Sequence, residues 1–97
     1  MNIQKMMQQA QAMQGKVQAE LEALRVEGLS GGGLVQIEMS GSKEVLSVKV
    51  DPSAVDPADV ETLQDLVLAA LRDASRQVDE AVRKKTSAML GGMLGGR

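Results

Sequence analysis

The 97-residue sequence contains no histidine, no cysteine and no phenylalanine, tyrosine or tryptophan. The absence of histidine and cysteine excludes the common zinc sites, thiol nucleophiles and side chains that titrate near neutral pH. The absence of cysteine also excludes disulfide bonds. Carboxylates, amines, guanidinium groups and hydroxyls are the reactive side chains that remain. We therefore predict that the protein is not an enzyme and that it has no metal site, no cofactor and no small-molecule substrate.

Long apolar runs are absent as well. The first twenty residues lack the continuous apolar core of a signal peptide, and no run of 18 residues is apolar enough to span a membrane. We therefore expect a cytoplasmic protein that does not act at a membrane. The length predicts a single domain, residues 1–90, followed by a flexible tail rich in glycine, methionine and leucine, residues 91–97.

Two helical patterns flank the middle of the chain. Residues 2–24 carry an apolar stripe at intervals of three or four, which is typical of an amphipathic helix. The second pattern begins after Asp56, which can cap a helix, with Pro57 at the first helical position and Asp59 at the third. Glycine ends helices, so we expect the second helix to stop at or near Gly91.

Between the helices, residues 25–51 hold the strand-forming sequence. Val35, Ile37 and Met39 alternate with polar residues, and Leu46, Val48 and Val50 repeat this period of two. Residues 25–29 supply a short first strand, which ends in the run Gly31–Gly33. This run lacks the Gly-Lys-Ser/Thr ending of a phosphate-binding loop, so it indicates a turn. The pattern predicts an α+β fold with a three-stranded antiparallel meander.

The predicted helices are longer than the predicted strands. At 1.5 Å per residue they reach roughly 35 and 50 Å, whereas strands of five or six residues span about 18 Å. A single chain would leave much of both apolar stripes in water, so we predict a tweezer-like homodimer. The predicted interface residues lie on the two stripes: Met6, Met13, Val17, Leu21, Val67 and Leu71.

The small net charge of −2 conceals a strong segregation of charge. Residues 1–19 carry +2, residues 20–65 carry −7, and residues 66–97 carry +3. Lys5 lies at a helix N-terminus, where the helix dipole favours an acid. Lys85 lies on the apolar stripe and has no acid four residues before it, whereas Asp79 with Arg83 and Glu80 with Lys84 have the spacing of helical ion pairs. If the helices pack antiparallel beyond the sheet, one basic tip forms on an acidic body.

The order of these segments resembles the YbaB/EbfC family of small bacterial nucleoid-associated proteins. The resemblance covers roughly residues 4–90, and its most specific parts are residues 32–35, residues 50–53 and the series Leu66, Ala70, Asp73 and Ala74. It implies a homodimer with a shared β-core that binds double-stranded DNA with little sequence preference, in the nucleoid. The cations at matching helical positions are the implied DNA contacts: Lys5, Lys16, Arg72, Arg76, Arg83, Lys84 and Lys85.

A different class of function fits the same helices. A prefoldin-like or adaptor protein could hold polypeptide with methionine-rich helical arms around a hairpin. The two functions differ in their response to salt, because phosphate binding weakens steeply with ionic strength and apolar clamping does not.

Overall fold

The protein is described by a computed structural model that covers residues 2–95, with the side chains of residues 2–88. The elements follow the order α1 (Ile3–Ala23), β1 (Arg25–Ser30), β2 (Val35–Ser40), β3 (Val45–Val50), a short 3-10 turn (Pro52–Ala54) and α2 (Val60–Gly95). The predicted α+β fold, with a long helix on each side of three strands, is confirmed. No helix within residues 2–95 is long and apolar enough to cross a membrane.

The three strands form an antiparallel meander in the order β1-β2-β3. Val35, Ile37 and Met39 are buried on the face that α2 covers, as their alternation predicts. A bulge between Glu38 and Met39 pairs Met39 with Val45 rather than with Leu46. The predicted inward row of β3 was therefore wrong at its first position, because the extra residue of a bulge shifts the alternation by one.

Helix α2 lies across β1 and β2 and completes a small core. Its buried residues are Ala70, Ala74 and Val78. The two alanines face Gly28 of β1, where an added Cβ would lie 2.2 Å from the carbonyl oxygen of Ala70. Small residues on both elements therefore allow the backbone of α2 to approach the strand closely.

The N-terminus of α2 differs from the prediction. Asp59, not Asp56, caps the helix: it accepts hydrogen bonds from the hydroxyl and, second, from the backbone N–H of Thr62, which lower the pKa of its carboxyl. Asp56 instead accepts the N–H of Ala58 in a preceding turn. Both aspartates are local caps, but the helix begins at the one that is followed by a continuous helical pattern.

The C-terminus of α2 also differs. The helix continues to Gly95, so the predicted end near Gly91 was wrong. Two adjacent glycines lower helix propensity by about 1 kcal/mol each, which does not by itself terminate a helix that already has many turns. Residues 96–97 lie outside the described part of the chain, and the flexibility of residues 91–97 stays a prediction.

The run Gly31–Gly33 forms the turn between β1 and β2. The φ angles of the three residues are 59°, 71° and 99°, a region that glycine enters without a Cβ clash. The run therefore serves backbone geometry, as its sequence context indicates.

Both helices project beyond the sheet. The molecule measures 69 × 28 × 16 Å, and its radius of gyration is 19.0 Å, whereas a compact domain of this length would have about 12.5 Å. Helix α1 has no buried residue, and it is held at its C-terminus by Gly41, whose N–H donates to the carbonyl oxygens of Leu21 and Leu24. The predicted overhang of the helices is confirmed.

The face of β3 that points towards the α2 side of the sheet is not covered. Cross-strand partners point to the same side of a sheet, so Val45, Val48 and Val50 lie on the same face as the core residues of β2. Because α2 lies over β1 and β2, Val48 remains 51% exposed and Val45 remains 45% exposed. We call these three valines the bare β3 face.

Candidate nucleic-acid interface

Helices α1 and α2 carry most of the chain's lysine and arginine. Lys5 and Lys16 lie on α1, and both are exposed. Lys5 is in the first turn of α1, which contains no acid and is capped by the side chain of Asn2. Neither lysine has an ion-pair partner among the side chains of residues 2–88. Both cations are therefore available to an anionic ligand.

Two of the predicted contacts on α2 are already paired with acids. Arg76 forms hydrogen-bonded ion pairs with Asp73 and Glu80, which raise the pKa of its guanidinium. The ammonium of Lys85 lies 3.8 Å from a carboxylate oxygen of Glu20 on α1. Lys85 has no acid four residues before it, as the sequence shows, but Glu20, which lies 65 residues earlier in the chain, reaches it through the fold.

Asp79 and Glu80 form ion pairs other than the predicted ones. Asp79 pairs with Lys43 of the β2–β3 turn at 2.9 Å, and Glu80 pairs with Arg76. The predicted ion pairs of Asp79 with Arg83 and of Glu80 with Lys84 are therefore not formed. Within the part of the chain whose side chains are described, Arg83 and Lys84 make no ion pair.

The cations of α2 point in different directions. Ala74 marks the line that faces the sheet, and at 100° per residue Arg83 and Arg72 lie about 180° and 160° from it, on the back of the helix. Lys84 lies on a flank at about 80°, and Lys85 lies at about 20°, on the side of α1. All four side chains are exposed. The open cations of α2 therefore face outwards, whereas Lys85 faces Glu20.

The predicted dimer-interface residues differ in burial. Met6 and Met13 are each 53% exposed on α1, and Leu71 is 36% exposed on α2. Val17 and Leu21 are half-buried, and Val67 packs against the core of its own chain. Val67 has therefore an intramolecular role that its position on the stripe did not reveal.

Two residues to which the sequence analysis assigned no structural role lie against the outer edge of β1. Asp73 accepts the N–H of Leu29 at 2.9 Å, and Gln77 donates to the carbonyl oxygen of Glu27 at 2.8 Å. The hydrogen bond from Leu29, followed by that from Arg76, lowers the pKa of the Asp73 carboxyl. The spacing of four residues places Asp73 and Gln77 on one side of α2, but nothing in the sequence indicates the strand edge beside them.

The chain matches the model of the YbaB/EbfC DNA-binding family over residues 1–93. It belongs to the YbaB/EbfC family. This membership confirms the resemblance drawn from the order of the helices, the Gly32–Val35 strand entry and the α2 series. The family is a DNA-binding family, and its description names no catalytic activity.

Several relatives in the YbaB/EbfC family are similar along most of the chain. The chain is 46% identical to a nucleoid-associated protein of Chloroflexus aurantiacus over 98% of both chains. It is 48% identical to a nucleoid-associated protein of Saccharopolyspora erythraea over 99% of this chain and 85% of the relative. The crystal structure of an uncharacterised Helicobacter pylori protein has the same fold, with a TM-score of 0.73 at 23% identity, over 94% of this chain and 99% of the other.

Proposed function

We propose that this protein is a nucleoid-associated protein that acts as a homodimer and binds double-stranded DNA through phosphate contacts from its projecting helices. The observation that carries the proposal is the set of exposed cations on the helical arms that form no ion pair among the side chains of residues 2–88, in a member of a DNA-binding family. Relatives named as nucleoid-associated proteins support a location in the nucleoid.

The distribution of charge favours the arms over the sheet as the DNA-binding region. The acidic segment, residues 20–65, contains all three strands and carries −7, whereas the segments at the two ends carry +2 and +3. DNA carries one negative charge per about 1.7 Å of duplex, so it is repelled by the body and attracted by the arms. Lys5 and Lys16 on α1, with Arg83 and Lys84 on α2, are the leading contacts, and Arg72, Arg76 and Lys85 are secondary.

The composition favours duplex DNA over single strands. Proteins that bind single-stranded nucleic acid stack its bases on aromatic side chains, and this chain has none. Sequence-specific recognition of RNA relies on similar stacking. Lysine and arginine contacts to the backbone carry no direct sequence information, so we expect little sequence preference.

The exposed apolar surfaces support the dimer. Besides the bare β3 face, Leu68 and Leu71 lie on the flank of α2 opposite Asp73 and Gln77, and these side chains are 44% and 36% exposed. The apolar stripe of α1, including Met6 and Met13, is also uncovered. Exposed apolar side chains in this number are typical of an association surface, and a symmetric pair buries the same surface on both copies.

The test of this proposal is a gel-shift series with duplex DNA, single-stranded DNA and RNA competitors at two salt concentrations. With roughly three to five phosphates neutralised per dimer, the slope of log affinity against log salt should be about −3 to −4.5. Unlabelled duplex of unrelated sequence should compete best. Binding that is insensitive to salt would instead support the polypeptide-holding alternative, which family membership does not favour.

A further inference from the structure

The two edge strands of the sheet differ in whether their outward-pointing backbone groups are hydrogen-bonded. In an antiparallel ladder, the backbone groups of alternate residues point to alternate sides, so the N–H and C=O groups of Glu27 and Leu29 point away from β2. The N–H of Leu29 and the carbonyl of Glu27 are both bonded by side chains of α2. Within the described residues, no side chain bonds the outer edge of β3.

Asp73 and Gln77 occupy the position that a fourth strand would take. Asp73 supplies an acceptor to the N–H of Leu29, Gln77 supplies a donor to the carbonyl of Glu27, and Gln77 also donates to Asp73 at 2.9 Å. An added strand would offer the same pair, one carbonyl and one N–H. We call this pair of side chains the edge clasp.

The close approach of α2 to β1 brings the edge clasp within reach. An added Cβ at Gly28 would lie 2.6 Å from the backbone nitrogen of Ala74, so the helix axis passes almost directly over the strand. From that position, residues on one side of α2 extend beyond the strand and turn back onto its edge. Side chains of the same chain therefore make the hydrogen bonds that a fourth strand next to β1 would make.

We propose that the edge clasp prevents a second copy of this chain from adding to β1, so that assembly uses the β3 side of the molecule and stops at a closed pair. A sheet with two open edges can add copies without limit, whereas a sheet with one open edge cannot. This inference rests on the proposed homodimer and deepens it, because a closed β1 edge limits assembly to a pair.

The test is sedimentation velocity of the full chain over a wide concentration range, with the double variant Asp73→Ala and Gln77→Ala. Alanine preserves α2, because it has the highest helix propensity. The wild type should keep one mass at all concentrations. The double variant should form species at least twice as heavy as the wild type, and their fraction should rise with concentration. A folded double variant with the wild-type mass throughout would overturn the inference.

A third change distinguishes strand addition from nonspecific aggregation. The N–H of Glu27 points away from β2, so Glu27→Pro removes a donor that an added strand needs and leaves the β1–β2 ladder intact. Adding this change to the double variant should restore the wild-type mass. If the triple variant remains as heavy as the double variant, the added mass does not come from β1 pairing and the inference is wrong.

Two further variants keep the test decisive. Arg76→Ala removes the ion pair with Asp73 but leaves the edge clasp, so it should keep the wild-type mass; a rise in mass there would overturn the assignment to the edge clasp. If the double variant does not fold, Gln77→Ala alone takes its place, because it frees the carbonyl of Glu27. A mass above that of the wild type is again expected, and the wild-type mass would again overturn the inference. A monomeric wild type would refute the proposed dimer, whereas the comparison of variant with wild type would still test the edge clasp.

Discussion

The contacts with DNA can be tested by comparing two double variants that change net charge equally. One variant, Arg83→Gln with Lys84→Gln, removes cations that have no ion pair among the described side chains. The other, Arg76→Gln with Lys85→Gln, removes cations that already face Asp73, Glu80 and Glu20. A general reduction in positive charge would act equally in both, so any difference reports direct contact.

The expected size follows from counterion release. Each neutralised phosphate contributes about 0.9 to the salt slope, so loss of Arg83 and Lys84 should lower the slope by about 1.8 if one arm contacts DNA. If the starting slope is about −4, a fourfold increase in salt weakens wild-type binding about 250-fold, whereas at a slope of about −2 it weakens binding about 16-fold. The second variant should change the slope by less than about 1, because its cations are partly neutralised before DNA binds.

Fluorescence anisotropy with two labelled duplexes of unrelated sequence is the assay, and circular dichroism checks that helix content is unchanged. Equal slopes in the two variants would mean that DNA responds to the overall field and makes no contact with Arg83 or Lys84. A larger change in the Arg76 and Lys85 variant would mean that DNA contacts these two cations in spite of their ion pairs. Lys43→Gln, in the acidic body, is the negative control and should leave the slope within experimental error of the wild type.

Three other predictions concern assembly and stability. Val48→Asp places a charge on the bare β3 face and should dissociate the dimer in sedimentation equilibrium, because an unpaired buried charge costs several kcal/mol. Ser47→Asp places the same charge on the opposite face of the sheet and should leave the dimer intact. Equal behaviour of the two variants would mean that the bare β3 face is not the interface. Gly32→Ala should lower the free energy of unfolding by about 1 kcal/mol, because φ is 71° and no atom lies within 4 Å of the added Cβ; loss of DNA binding without loss of stability would show that the turn contacts DNA. The hydrogen bond from Leu29, followed by that from Arg76, lowers the pKa of Asp73 in the folded state. The stabilisation that results is complete above the ordinary carboxyl pKa of 3.8 and is lost as pH falls through the lower folded value. The stability advantage of the wild type over Asp73→Asn in urea should therefore shrink below about pH 4, and a constant advantage would contradict this role.

The sequence predicted the architecture because periodicity is a local signal. The alternation of Val35, Ile37 and Met39 predicted the buried face of β2, and the helical periodicity predicted α2, but Leu71 of its apolar stripe remains 36% exposed. The ends of α2 were less predictable. Asp56 and Asp59 are both good caps, and the choice between them depends on the turn that leads out of the 3-10 segment.

The sequence identified the cations of the candidate site but not the acids with which they pair. The cations of the arms could be named from the sequence, because charge segregation is visible there. Their partners could not, because Glu20 with Lys85 and Lys43 with Asp79 are far apart in the chain and meet through the fold. The local spacing rule assigned Asp79 to Arg83, but a lysine from the β2–β3 turn lies closer to this acid.

Because α1 is attached near its C-terminus at Gly41, a small rotation there moves its N-terminus by a large distance. A Cβ at this position would lie 2.4 Å from the carbonyl oxygen of Leu21, so the backbone of the turn touches the last turn of α1 directly. The remainder of the helix has no buried residue. Over about 20 residues, or about 30 Å, a rotation of about 10° at this attachment displaces the N-terminus by about 5 Å. A change of backbone angle too small to disturb the sheet therefore alters the distance between Lys5 and α2 by close to the rise of a helical turn.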